Sequence, residues 1–420
     1  MKCFNKYSRT QKNIFFSIIQ VIINGLSLFI AYRINISIVG TEIFGVWAII
    51  NSFASFLSIT NFGINGAFVR YIPTYIIEKR EVEIAALVFT NVLFFLLFGV
   101  FLGGIIFFIS DKIIPFIIDT KYILIAYPIL KLSIVVFITN VAVGLFSSIL
   151  DGHNLIFLRN IVQIIGSLVF VILNYFFINY WGIIGMVWGQ LFQAVISLTI
   201  LLIICYHIIN GKYHWNFKYI KETFTYGLQS QIISFMQIGY EPVIKILLGK
   251  YGGISSVSYF ELSNKVVLQV KGIISSAFQY LVPLFASING EKELRDLYNR
   301  TNKKILIVSL CSFSILIISS PLISFFFFKK IDLQYIQFII IISLSWTVNC
   351  ISLTSYYYNI GKGLLMNNIT FHFLLIFINL SLIYFFIELD FVNLTILLSF
   401  LLSHIFSSIF LIRKYKQLNH

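Results

Sequence analysis

Apolar runs of about 20 residues recur along this whole chain, and each is long enough to cross the hydrocarbon core of a bilayer as a helix. That recurrence restricts the fold more than any other feature. In hydrocarbon the backbone N–H and C=O groups of a segment must be satisfied within the structure, which a helix does residue by residue. Composition agrees: hydrophobic residues make up 59% of the 420 and charged residues 11%, with a mean hydropathy of +0.93. A soluble chain of this length needs far more polar surface.

The runs predict twelve spans, over 13–37, 44–66, 85–109, 122–148, 155–178, 182–205, 224–249, 256–286, 303–328, 334–357, 365–387 and 391–412. The first has too long an apolar core, and no small-x-small site before Arg33, for a cleaved signal peptide. The net charge of +14 follows from topology. With the N-terminus in the cytoplasm, twenty of the thirty Lys/Arg fall in inside segments, six in outside loops and four within spans. That is the positive-inside pattern for a multi-pass protein with both termini cytoplasmic. Contact with anionic membrane lipids is its natural consequence, and nucleic acid is not an expected partner. The four cysteines are scattered without a C-x-x-C pair, so neither a disulfide framework nor a metal site is expected. No cofactor is called for.

The connector at 206–223 divides the chain at its midpoint. The expected domains are an N-terminal six-helix lobe over 1–205, the cytoplasmic connector, and a C-terminal six-helix lobe over 224–420. Both lobes begin in the cytoplasm, as parallel repeats would. A weak internal echo supports duplication: VGTEIFGVWAIIN (Val39 to Asn51) overlays GGISSVSYFELSN (Gly252 to Asn264). The predicted architecture is an all-α polytopic membrane protein, two six-helix lobes around a central cleft.

Four lysines, Lys131, Lys245, Lys265 and Lys271, lie inside expected spans. Each costs roughly 2.5–3.5 kcal/mol to insert at the centre of a span, so a cationic cleft for a negatively charged ligand is the reading they favour. Glu241 precedes Lys245 by four residues, and Glu261 precedes Lys265 by four, the favourable order for pairing on one helix face. The plainer alternative is that these pairs only neutralise charge. Lys131 and Lys271 have no such acid, which leaves a surplus of two positive charges, comparable to the charge on a diphosphate. Arg33, near the outer end of the first span, could join the cleft or snorkel to the interface. Pro128 and Pro242 sit beside charged positions in spans, where proline kinks helices. His372 and His404 could carry protons or serve as hydrogen-bonded structural groups.

Three segments resemble bacterial polysaccharide flippases of the Wzx type, in the superfamily that includes multidrug and toxin extrusion transporters. One is Val39 to Pro73, with Phe44-Gly45-x-Trp47, Asn61-Phe62-Gly63 and Arg70-Tyr71. Another is WGIIGMVWGQ, Trp181 to Gln190, similar to a Gly-x-x-Gly opening of the sixth span. The third runs from Lys245 to Pro283. The chain departs from the family where an aspartate commonly precedes the position of Lys245; Ile244 stands there, with Glu241 three residues earlier. An acidic coupling role therefore does not transfer by resemblance, and Glu241 and Glu261 are coupling candidates by position alone. The resemblance implies translocation of an undecaprenyl-diphosphate-linked oligosaccharide, for O-antigen or capsule, from the cytoplasmic to the periplasmic face of the inner membrane, beside a polysaccharide polymerase machinery. A cation antiporter of the same superfamily would favour intramembrane acids instead of lysines. A membrane polymerase or transferase would need an acid cluster on the outer side. The acids there, Asp111, Asp119, Asp332, Glu388 and Asp390, form no convincing one, so no enzymatic activity is expected.

Overall fold

The computed structural model describes residues 9–55, 57, 64–209, 211, 213–288, 290–386 and 392–418, and no described residue lies in a strand. The chain divides into two compact units, Met1–Ser234 and Phe235–His420. The first contains α1 (Arg9–Ala54), α2 (Ile64–Ile77), α3 (Glu81–Ile117), α4 (Ile123–Gly152), α5 (Ile156–Trp181) and α6 (Ile183–Ile208). Helix α7 (Phe217–Gly252) begins in the first unit and ends in the second. The second unit continues with α8 (Ile254–Phe278), α9 (Leu281–Ser287), α10 (Glu291–Ile318), α11 (Ser320–Phe328), α12 (Leu333–Ile351), α13 (Leu353–Gly361), α14 (Leu365–Phe386) and α15 (Val392–Leu418).

Among the described residues, ten helices are long and apolar enough to cross a membrane, against twelve expected spans. The two differences have physical causes. Spans one and two fall largely on α1, whose backbone breaks once, at Gly40 (φ 80, ψ 170). Span eight corresponds to α8, which carries Glu261, Lys265 and Lys271 and is too charged to qualify on apolarity.

The break at Gly40 has a counterpart. Gly253, between α7 and α8, takes φ 85 and ψ 148. These two glycines align in the internal echo of Val39–Asn51 with Gly252–Asn264. Only glycine adopts such angles without strain, so the echo marks the same kind of backbone break at both positions. The Phe44-Gly45-x-Trp47 motif follows the first break. Its rings pack with Tyr32 at centroid distances of 5.1–5.8 Å, which makes the motif a packing device. Asn61-Phe62-Gly63 lies outside the described residues.

In the first unit α5 packs along both α1 and α6. The α1–α5 seam is polar through most of its length. Asn13 accepts the Phe157 backbone N–H at 2.9 Å, while Asn160 donates to Ser17 at 2.8 Å and Asn174 to Asn35 at 2.8 Å; Ser167 also donates to Asn24. Asn160, Ser167 and Asn174 recur every seven residues and so stay on one face of α5. Interhelical hydrogen bonds of this kind contribute about 0.6 kcal/mol each in membranes.

The second and third helices and the connector are tied together at one end. Arg80 grips Glu83 with two nitrogens at 2.8 and 2.7 Å and reaches Glu78 at 2.8 Å. Its guanidinium lies 4.4 Å from the centre of the Tyr75 ring. The Tyr219 hydroxyl donates to Glu83 at 3.1 Å, and that of Tyr75 to Glu222 at 3.3 Å. The connector is thus latched onto α2 and α3. Burial, and then the hydrogen bond to Glu83, push the Tyr219 phenol up to about 12. A raised pKa contributes stability that is complete below the unfolded value near 10 and lost as pH climbs through the folded one. The stability advantage of the wild type over Tyr219→Phe, read by thermal unfolding in detergent, is therefore expected to hold up to pH 10 and vanish towards pH 12.

Candidate functional site

Two groups of polar side chains sit among the helices of the second unit. Glu241 and Lys245 lie one turn apart on α7, as do Glu261 and Lys265 on α8. Lys245 Nζ lies 2.6 Å from Glu241 Oε1 and 2.5 Å from Glu261 Oε2, while Lys265 Nζ lies 3.7 Å from Glu261 Oε1. The four form a zigzag of alternating sign that crosses from α7 to α8. Its middle is sealed, with Lys245 and Glu261 side chains 2% and 1% exposed, while its ends, Glu241 and Lys265, are 30% and 31% exposed. The pairing is not simply one acid per lysine within each helix. Glu261 serves both lysines, and its tighter bond is the one across to α7.

Lys271 has a different environment. Asn264 and Lys271 are seven residues apart on α8 and share a face, about 20° apart around an ideal helix. The Lys271 ammonium lies 3.9 Å from the centroid of the Trp346 ring, on α12. Among the described residues it forms no ion pair with a carboxylate. Trp346 Nε1 donates to Asn264 Oδ1 at 3.1 Å, so one face of α8 supplies both the cation and the group that fixes the indole. On α15, His404 meets Trp346 edge to face at 5.3 Å. Its Nδ1 donates to the Phe400 carbonyl at 2.8 Å, which fixes the tautomer and gives His404 a structural bond. His372 on α14 contacts the Gln237 amide at 3.1 Å and stacks edge-on against Tyr356 on α13 at 5.9 Å.

The remaining candidates lie in the first unit and are not part of these groups. Lys131, on α4, is exposed, its ammonium 5.1 Å from the Phe107 ring centre and 6.0 Å from that of Tyr127. Arg33 is half-buried on α1. Asp332 accepts the backbone N–H groups of Gln334 and Tyr335 at 3.1 and 3.2 Å and the Tyr259 hydroxyl at 3.0 Å, a helix cap. Glu388 and Asp390 lie outside the described residues. Among the described residues no group of His, Cys, Asp and Glu could hold a metal. A recess of about 630 Å³ beside α3 and α6, lined by Val88, Leu93, Phe146, Leu202 and Tyr206 among others, carries no carboxylate, lysine or arginine.

Trp346 and Asn264 are the participants that sequence reading passed over. One signal was present. Tryptophan gathers at membrane interfaces, whereas Trp346 falls at the middle of the span expected over 334–357.

Ten described helices long and apolar enough to cross a membrane define a multi-pass membrane protein, and the fold is that of known transporters. The chain matches a multidrug resistance MATE family transporter of the MOP superfamily, inward-facing, at TM-score 0.78 and 13% identity over 93% of this chain and 95% of that one. It matches the lipid II flippase MurJ, inward closed, at 0.74 and 16% over 96% and 87%. A MOP superfamily transporter from Pyrococcus furiosus, whose structure is described as having a binding pocket of reverse polarity, matches at 0.63 and 12% over 98% and 94%. No curated protein matches in sequence. Residues 37–333 match the family described as polysaccharide biosynthesis protein, and the chain belongs to that family.

Proposed function

We propose that this protein translocates an undecaprenyl-diphosphate-linked oligosaccharide from the cytoplasmic to the periplasmic face of a bacterial inner membrane, by alternating access. The product feeds O-antigen or capsule assembly by a polymerase. Family membership supports the pathway. The observation that carries the ligand class is Lys271, an intramembrane cation held on an indole face with no described carboxylate beside it. Such a cation is costly in hydrocarbon and is free to exchange its aromatic contact for a phosphate. A diphosphate and many hydroxyls cannot cross hydrocarbon unaided, so the protein must supply a polar route for the head group while the prenyl tail stays in lipid. The lysine pairing also disfavours the cation-antiporter alternative, because both Glu241 and Glu261 already hold Lys245. The charge bias supports a cytoplasmic side for both termini.

The test is complementation of a flippase-null strain. Lys271→Gln and Lys131→Gln are each expected to lower surface polysaccharide about tenfold at normal protein level, the scale of one lost charged hydrogen bond. Full complementation by both variants would overturn the anion-site reading.

A further inference from the structure

The contact between Lys271 and Trp346 blocks a surface that a sugar could use. An indole face is the largest flat apolar plate a side chain offers, and such faces receive cations and stacked rings alike. Here the plate is held by two groups. The hydrogen bond from Nε1 to Asn264 at 3.1 Å fixes its in-plane orientation, and His404, itself tied to the Phe400 carbonyl, abuts it edge-on. Trp346 and Lys271 are both half-buried, so neither is sealed in the core. The plate is rigid while its cover, a lysine ammonium on a flexible four-carbon stem, is movable.

We infer that Trp346 is the stacking plate for the sugar next to the diphosphate, and that Lys271 uncovers it only when it moves to the phosphate. The inference rests on the anion-site reading given above and adds the part of the ligand that the lysines cannot see. A phosphate draws the ammonium off the ring, since a charge-assisted hydrogen bond is stronger than a cation–π contact. The vacated face then accepts the C–H face of the adjoining sugar. The two halves of the ligand are thereby read together. A bare prenyl diphosphate removes the lysine but leaves the indole face empty, and a neutral sugar finds the face occupied. Reading both groups in one molecule favours the glycosylated lipid over the unglycosylated carrier.

The test uses the purified full-length protein in lipid nanodiscs, with farnesyl diphosphate and farnesyl-diphospho-N-acetylglucosamine as probes, titration calorimetry as the binding readout for every variant, and tryptophan emission as a second readout wherever Trp346 is present. The wild type is expected to bind the glycosylated probe about tenfold more tightly than the bare one, the upper end of what one aromatic contact contributes. Both probes should change the emission as the ammonium leaves the indole. In Trp346→Leu the preference is expected to collapse to about one, with the bare diphosphate bound as well as before or better. Trp346→Phe, which keeps an aromatic surface for packing, should give an intermediate preference and covers the case of a poorly folded Leu variant. Lys271→Gln should lose affinity for both probes. A sugar preference that survives both Trp346 substitutions overturns this inference alone. Undiminished binding of bare farnesyl diphosphate to Lys271→Gln overturns the anion site, and the inference with it.

Discussion

Replacing Lys245 with Met is expected to destabilise the second unit by about 3–5 kcal/mol, the usual cost of removing one partner from a buried ion pair. The side chain is 2% exposed and lies within 2.6 Å of two carboxylates. Taking it away leaves Glu261, itself 1% exposed, with Lys265 at 3.7 Å as its remaining lysine. Among the described residues, Glu241 loses its one close ion pair. Methionine fills the volume, so the loss is electrostatic and not a cavity effect. The double variant Lys245→Met, Glu261→Leu should recover much of the stability, because apolar replacement of a whole buried pair is often neutral or better. Thermal unfolding in detergent, with the amount of protein in the membrane, measures both. A single variant as stable as the wild type would mean that the zigzag carries little of the unit's stability. The opposite pattern is expected for Lys265→Gln, since that lysine is 31% exposed and its bond to Glu261 is long.

This cluster shows how far sequence can be read. The spacing of Glu241 to Lys245 and of Glu261 to Lys265 is visible in the string, because a helix sets neighbours four residues apart regardless of what surrounds it. The bond from Lys245 to Glu261 depends on the rotation and depth of α7 against α8, and no periodicity encodes those. It is also the shortest of the three. The same division runs through the rest of the molecule. Apolar runs announced the spans, yet the two boundaries that shifted were set at Gly40, where a backbone angle breaks one long helix, and in α8, where three charges interrupt apolarity. Lys271 was legible as a cation without a neighbouring acid on its own helix. Its seat on Trp346 was not, because the lysine and the ring are 75 positions apart on separate helices. The surplus of charge pointed to an anion, whereas the plate beside it left one trace in the string, the mid-span position of Trp346.

Gly185→Ala is expected to destabilise the first unit by about 3 kcal/mol, the upper end of the usual overpacking range. Gly185 lies in the first turn of α6, three residues after Gly182, which turns the chain out of α5 at φ 58. The two helices separate only gradually from that turn. A Cβ at position 185 would fall 2.1 Å from the Phe177 carbonyl oxygen and 2.3 Å from its carbon. Both are backbone atoms inside a helix, so no rotamer change relieves the clash and α5 must move as a body. That motion would strain the hydrogen bond from Asn174 to Asn35, which ties α5 to α1. Gly104, in α3, is the internal control. A Cβ there meets nothing within 4 Å, so Gly104→Ala should stabilise by about 0.5–1 kcal/mol through helix propensity. The same chemical change is thus predicted to have opposite signs at two membrane-embedded glycines. Unfolding midpoints of the two variants, compared under one detergent condition, decide it. Equal shifts would show that the α5–α6 contact yields more easily than its backbone distances imply.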